Sequence, residues 1–153
     1  MKIICDSREQ KPLDFRLSKN LTDVIKKKLN VGDYSIEGYE DKIGIERKSA
    51  LDLFGTLGKG HKRFKKEIER VKALNMDYFG IVVECCFNKV MNKEFENSHY
   101  SNMMGFQIIN TCYTYKMKHN IDIIFCNNRN EASAIIRNIF NAYLKTKGSE
   151  LNG

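Results

Sequence analysis

Gly32-Asp33-Tyr34-Ser35-Ile36-Glu37-Gly38-Tyr39-Glu40-Asp41-Lys42-Ile43-Gly44-Ile45-Glu46-Arg47-Lys48-Ser49-Ala50-Leu51-Asp52 is the stretch on which the reading of this chain turns. Residues 31–36 and 43–48 each alternate apolar with polar side chains, the period of a strand, and Gly38 with Asp41 supplies the turn between them. Alternation puts Ile43, Ile45 and Arg47 on one face of the second strand and Gly44, Glu46 and Lys48 on the other. A carboxylate and an ammonium therefore leave the strand end on the same side. Asp33 can approach them from the neighbouring strand.

An acid followed by a second acid, one residue and a lysine suits metal-dependent phosphodiester cleavage. Two carboxylates hold a hard divalent cation through oxygen. Such a cation lowers the pKa of a bound water and neutralises charge growing on the phosphate. A lysine beside it can orient the attacking water or stabilise the pentavalent state. Solvated charges at a strand end use the same residue types, so this spacing alone leaves both readings open.

The wider wording is more specific. Gly32-Asp33-Tyr34 followed by Glu46-Arg47-Lys48-Ser49-Ala50-Leu51-Asp52 resembles the GD(Y/F)…ERKxxxD signature of the ERCC4-type nuclease domain, found in the XPF/Mus81/Hef family of structure-selective DNA endonucleases. Asp6-Ser7-Arg8-Glu9 resembles the DxRE of that family's first strand, and Lys62-Arg63-Phe64-Lys65-Lys66-Glu67 its arginine-bearing helix start. Ile81-Val82-Val83-Glu84 resembles its next core strand, with Glu84 open as a site acid or a paired structural carboxylate. The resemblance covers residues 2–145 and is similar to stand-alone versions of the domain in phages and archaea.

That resemblance implies an α/β, restriction-endonuclease-like fold, a mixed central sheet flanked by helices. It implies a metal-dependent DNA endonuclease acting on flap, fork or branched DNA in repair, recombination or replication. Asp33 and Glu46 would hold Mg²⁺, with Asp6 and Glu9 completing the acidic set, the Arg47 carbonyl as another ligand, and Mn²⁺ able to substitute. Lys48 would position the nucleophilic water, and Arg8, Arg47 and Arg63 would meet phosphates or brace the carboxylates. Cleavage would leave a 5′-phosphate and a 3′-hydroxyl. Family members pair through the carboxyl-terminal region, so a homodimer through the last helices is implied. The alternative is a non-catalytic DNA-binding or partner subunit of the same fold, against which the presence of Asp33, Glu46 and Lys48 argues.

Composition sets the outer bounds. A chain of 153 residues with 42% hydrophobic and 29% charged side chains reads as one globular domain, expected over residues 1–145 with a flexible tail from 146 to 153. The net charge of +7 favours a polyanionic partner, or else reflects a lysine-rich surface. No apolar run approaches the length of a membrane span, and Met1-Lys2-Ile3-Ile4-Cys5 leads into a strand, not a signal peptide. The expected location is intracellular: cytoplasm or nucleoid, or the nucleus for a eukaryotic or nuclear viral source. Cys5, Cys85, Cys86, Cys112 and Cys126 form no CxxC pair and have no histidine at zinc spacing, which fits free thiols.

Along the rest of the chain, Leu21, Val24, Ile25 and Leu29 share a helical face, predicting a helix over 21–29 capped by Ser18 or Asn20 and ended by Lys26-Lys27-Lys28. Three glycines between Leu53 and His61 predict a mobile basic segment carrying Lys59, either a plain linker between helices or, as the resemblance implies, a loop beside the site that grips DNA. Residues 62–74 predict an amphipathic helix with Phe64, Ile68, Val71 and Leu74 inward. Its first turn is crowded with cations, which the helix dipole disfavours unless a phosphate sits there. Arg63 is therefore a candidate DNA contact, with Lys62 and Lys65 beside it. Residues 78–86 predict a buried strand, 101–118 a helix, 121–126 a strand and 131–144 a helix with Ile135, Ile136, Ile139, Phe140 and Tyr143 on its apolar face.

Overall fold

The structure, a computed structural model, describes residues 1–16 and 23–151, with side chains through residue 148. Six strands form one sheet in the order β2-β1-β3-β4-β5-β6: β1 Lys2–Asp6, β2 Asp23–Lys27, β3 Tyr34–Ile36, β4 Ile43–Lys48, β5 Tyr78–Val83 and β6 Asp122–Phe125. β1, β3 and β4 pair antiparallel, whereas β2 runs parallel to β1, and β4, β5 and β6 are mutually parallel. The helices are α1 Ala50–Leu57, α2 His61–Ala73, α3 Phe87–Met91, α4 Gly105–His119 and α5 Arg129–Leu151. This is the mixed α/β sheet expected from the sequence.

Both faces of the sheet are covered, which explains why β5 is apolar throughout. Phe79, Ile81 and Val83 of β5 pack under α1, α2 and α4 against Leu53, Phe54, Phe64, Ile68 and Ile108. On the opposite face Val82, with Ile3, Ile43 and Ile45, packs under α5 against Ile136, Phe140 and Tyr143. β4 thus buries Ile43 and Ile45 on the α5 side, while Glu46 and Lys48 emerge on the α1–α2 side. Gly105 lets α4 approach α3: a Cβ there would lie 2.0 Å from the Met91 carbonyl oxygen.

Three local expectations are corrected. Residues 23–27 are not helical but form the edge strand β2, paired from Lys2↔Asp23 to Asp6↔Lys27. The β-branched pair Val24-Ile25 suits a strand, and the free edge of β1 supplies the backbone partners. Lys26, Lys27 and Lys28 are exposed there, charges that discourage a further chain from adding to the edge. The proposed caps Ser18 and Asn20, and Leu21, lie outside the described residues.

The expected glycine loop is mostly helix. Ser49 caps α1, its Oγ accepting the Asp52 amide at 3.1 Å, so β4 runs directly into a helix that holds Gly55 and ends at Gly58. Only residues 58–60 remain as a tight turn into α2. At the carboxyl end, the helix predicted over 131–144 is longer at both ends, running from Arg129 to Leu151. Among the described residues no helix is long and apolar enough to cross a membrane.

Candidate active site

The chain brings Asp33 against the end of β4 through Gly32. Gly32 has φ +76, and a Cβ on it would sit 3.1 Å from the Ile45 carbonyl oxygen, so glycine is what allows the turn to lie this close. The Asp33 amide donates to that same Ile45 oxygen at 2.9 Å. The Arg47 amide returns the bond, donating to Asp33 Oδ2 at 2.8 Å. Asp33 Oδ1 has no hydrogen-bond donor among the described residues. Asp33 and Glu46 border the same two cavities, of about 220 and 800 Å³. Burial pushes the Asp33 carboxyl up to about 7, with the charges of Glu46 and Glu9 adding to the effect and the Arg47 amide opposing it.

Lys48 donates to Glu46 Oε1 at 2.6 Å, and both side chains are largely buried. Burial alone would lower the Lys48 ammonium, but Glu46, with Glu67 and Asp33 behind it, outweighs that and raises it. Among the described residues Glu46 Oε2 is buried with no hydrogen-bond partner. Glu67 of α2 lies near Glu46 on the same cavity, and its carboxyl is pushed up to about 8, by burial first and then by the neighbouring Glu46 carboxylate.

The four acids expected to form one set are split. Asp6 is buried and fully engaged: Oδ1 accepts the Arg8 amide and Nε, and Oδ2 accepts Arg8 Nη2 and the Leu29 amide. The Arg8 hydrogen bonds hold its carboxyl down at about 2. Glu9 accepts Arg47 Nη2 at 2.8 Å and Nε at 3.2 Å on the opposite face of β4 from Glu46. Burial would raise Glu9, but the bonds from Arg47 and the Lys11 amide hold it below the usual range. Among the described residues, no three His, Cys, Asp or Glu side chains are placed to hold one ion. Asp6 and Glu9 are thus anchors for Arg8 and Arg47, because each has a guanidinium within reach.

Glu84, beyond the end of β5, belongs to the same bracing. Its Oε1 accepts Arg47 Nη1 and Arg129 Nη1, both at 3.3 Å, and Arg129 Nη2 donates to the Lys11 and Pro12 carbonyls. Lys11, in turn, donates its amide to Glu9 Oε1 at 2.9 Å. The result is a closed ring, Glu9–Arg47–Glu84–Arg129–Lys11, that ties four segments behind the site.

On the α1–α2 side a cleft of about 530 Å³ leads away from Lys48. Lys48, Lys59, Arg63 and Arg70 border it with only Asp52 and Glu67 as acids. α2 begins at Gly60 with no side-chain cap and no acid in its first turn, so its amino end adds positive potential. Lys62 and Lys65 are exposed on α2 but do not border the cleft. Sequence reasoning singled out neither Glu67 nor Arg70 nor Arg129. For the first two a signal existed: residues 63, 67 and 70 follow i, i+4, i+7, one helical face flanking the apolar one. Arg129 carried none, because its partners lie over a hundred residues away.

A mixed α/β sheet that gathers acids and a lysine at the end of a central strand, beside a basic cleft, defines a domain built around one polar site. The chain belongs to the ERCC4 domain family: the sequence model of the ERCC4 domain matches residues 5–139. Its fold is similar to that of solved structures of XPF from Aeropyrum pernix, at 19% identity and a TM-score of 0.70, covering 94% of this chain and 61% of that one. A second, XPF from Aeropyrum pernix in complex with DNA, matches with the same score and identity over 95% of this chain and 66% of that one. This chain therefore spans less than two thirds of the first of those proteins and about two thirds of the second. A search of curated proteins gave no match.

Proposed function

We propose that the protein is a DNA endonuclease dependent on a divalent cation, Mg²⁺ with Mn²⁺ able to substitute. The observation that carries this reading is the pairing of Asp33 and Glu46 at two shared cavities, with Lys48 bound to Glu46. Their donor set fits a hard cation, because among the described residues Glu46 Oε2 is buried without a partner and the available atoms are oxygens. When bound, the cation would activate a water and offset charge on the phosphate.

The chain's own residues set up the rest. Arg47 orients Asp33 through its amide, and its side chain is locked by Glu9 and Glu84, so the acid is held in place before substrate arrives. Lys48, at the mouth of the basic cleft, is the donor for a water or a phosphate oxygen. Arg63, Arg70 and Lys59 would hold phosphates along that cleft, with Lys62 and Lys65 further out. Arg8 braces Asp6 beneath the site. Family membership and the DNA complex of the Aeropyrum pernix XPF support DNA as the polyanion.

The substrates we propose are flap, fork or branched DNA, in repair, recombination or replication, cut to leave a 5′-phosphate and a 3′-hydroxyl. A second copy of the chain is the proposed partner for the outer face of α4, where Phe106, Tyr113 and Met117 recur at helical spacing and stay 53%, 58% and 83% exposed. The apolar face of α5, by contrast, covers the sheet. One observation favours a second reading, a non-catalytic DNA-binding subunit: Asp6 and Glu9 are occupied by arginines. A panel of end-labelled flaps, forks, junctions and plain duplex, incubated with Mg²⁺ and mapped at nucleotide resolution, separates the two. Mapped incisions support the enzyme; binding to every substrate with no incision supports the subunit.

A further inference from the structure

Resting on the reading of DNA as the polyanion, we infer that the seam between α2 and α4 is a second DNA-binding surface, which takes the second duplex arm of a branched substrate while the first arm lies in the cleft beside Lys48.

α2 carries cations on two flanks. Arg63 and Arg70 border the cleft, whose other wall is α1. Lys65 and Lys72, each two residues further on, lie on nearly the opposite side, because two residues turn a helix by about 200°. α4 closes on that side. Phe64 and Tyr115 pack with ring centroids 5.0 Å apart, Tyr115 and His119 with centroids 5.5 Å apart, and Lys72 Nζ reaches His119 Nδ1 at 2.8 Å. An ammonium has no lone pair, so Lys72 donates and the His119 ring accepts in its neutral form. Lys118, beside His119, adds a further exposed cation. Among the described residues no carboxylate forms an ion pair with Lys65, Lys72 or Lys118, whereas Lys116 of the same helix is held by Asp122 at 2.6 Å.

The helix dipoles offset part of this charge where Lys72 and Lys118 sit, at the carboxyl ends of α2 and α4, but Lys65 lies near the amino end of α2 and gains nothing from it. Burial and the charges of Lys72, Lys118 and Lys65 hold the His119 ring below its usual range. Phosphates would relieve the crowding, accepting from the ammonium groups and favouring the protonated ring. A single duplex does not suit both surfaces. α2 stands between α1 and α4, so it is not clear of its neighbours to enter a major groove, and one straight backbone cannot follow opposite flanks of a helix. Two arms diverging from a branch point can.

The test is fluorescence anisotropy of the full chain on a labelled fork and on plain duplex, in chelator and at several salt concentrations. Lys72→Gln/Lys118→Gln should weaken fork binding by at least roughly tenfold and lower its salt slope by about two, with plain duplex binding near wild type. Lys26→Gln/Lys28→Gln, the same charge change beside the β2 edge, should leave the preference for the fork unchanged. The His119 imidazole, followed by NMR, should titrate higher with the fork bound than with plain duplex. Equal losses on fork and duplex, unchanged fork binding by the Lys72/Lys118 variant, or a His119 titration that the fork does not move would overturn the inference and leave the cleft reading standing. A wild-type chain that binds neither DNA would remove the DNA reading itself, and this surface with it.

Discussion

The amide of Arg47 donates to Oδ2 of Asp33 at 2.8 Å, while the Arg47 guanidinium leaves β4 on the other face and is gripped by Glu9 and Glu84. One residue therefore links the acid of the proposed cation site to the ion-pair ring behind it, and positions the site without entering it.

That ring gives a first expectation. Glu9→Ala would leave the Arg47 guanidinium, only 13% exposed, without its closest partner. Removing one member of a buried pair costs about 3 kcal/mol or more. Urea unfolding should show a loss of that order, whereas Arg129→Ala, whose side chain is 43% exposed, should cost less, about 1 kcal/mol.

Asp33 makes ion-free stability depend on pH. Its carboxyl ionises at about 7 in the folded chain, against 3.8 as the ordinary value. Between those limits the folded state keeps a proton that the unfolded chain has released, so stability falls as pH rises through this window and then levels off. Glu67 acts in the same direction up to about 8. In chelator at about pH 8, Asp33→Asn should be the more stable protein by something on the order of 2 kcal/mol, and the gap should close towards about pH 5. Thermal melts across that range check it.

The basic cleft can be probed by salt. Arg63→Ala and Lys59→Ala should each weaken DNA binding uniformly across sequences and lower the slope of log affinity against log salt by about one. Lys62→Ala and Lys65→Ala, away from the cleft, should change both less. Fluorescence anisotropy at several salt concentrations reads the difference.

Gly32→Ala should damage the site and the fold together. The residue sits at φ +76 with 3.1 Å to the Ile45 oxygen, so an added methyl strains the backbone and pushes the turn away from β4. A loss of about 1–3 kcal/mol is expected. The Asp33–Arg47 amide bond should weaken with it, read as faster amide exchange at Arg47.

How much of this was legible in the sequence depends on the range of the interactions. The strand β4 and the face that carries Glu46 and Lys48 follow from alternation, and the buried β5 from an unbroken apolar run, whereas the first hairpin strand read over 31–36 is only Tyr34–Ile36, because the Gly32 turn takes up its start. The segment around Val24 was misread because its periodicity fits a helix, while the bonds that decide it come from β1, some twenty positions earlier. Gly55 was misread because Ser49 caps a helix that tolerates one glycine. Asp6 and Glu9 look like ligands in a linear motif, and only the folded chain shows guanidinium groups already on them. Glu67 falls off the inward face read for residues 62–74 and so was not singled out, since a helix period shows which residues share a side but not what that side meets.

The most direct test is incision of a labelled branched duplex over a Mg²⁺ titration by wild type, Asp33→Asn and Lys48→Ala, with DNA binding followed in the same samples. Wild type should cut only with the cation, and both variants should lose at least about a hundredfold in rate while still binding DNA. Cutting by wild type in chelator, or undiminished cutting by Asp33→Asn, would contradict a cation site built on Asp33 and Glu46.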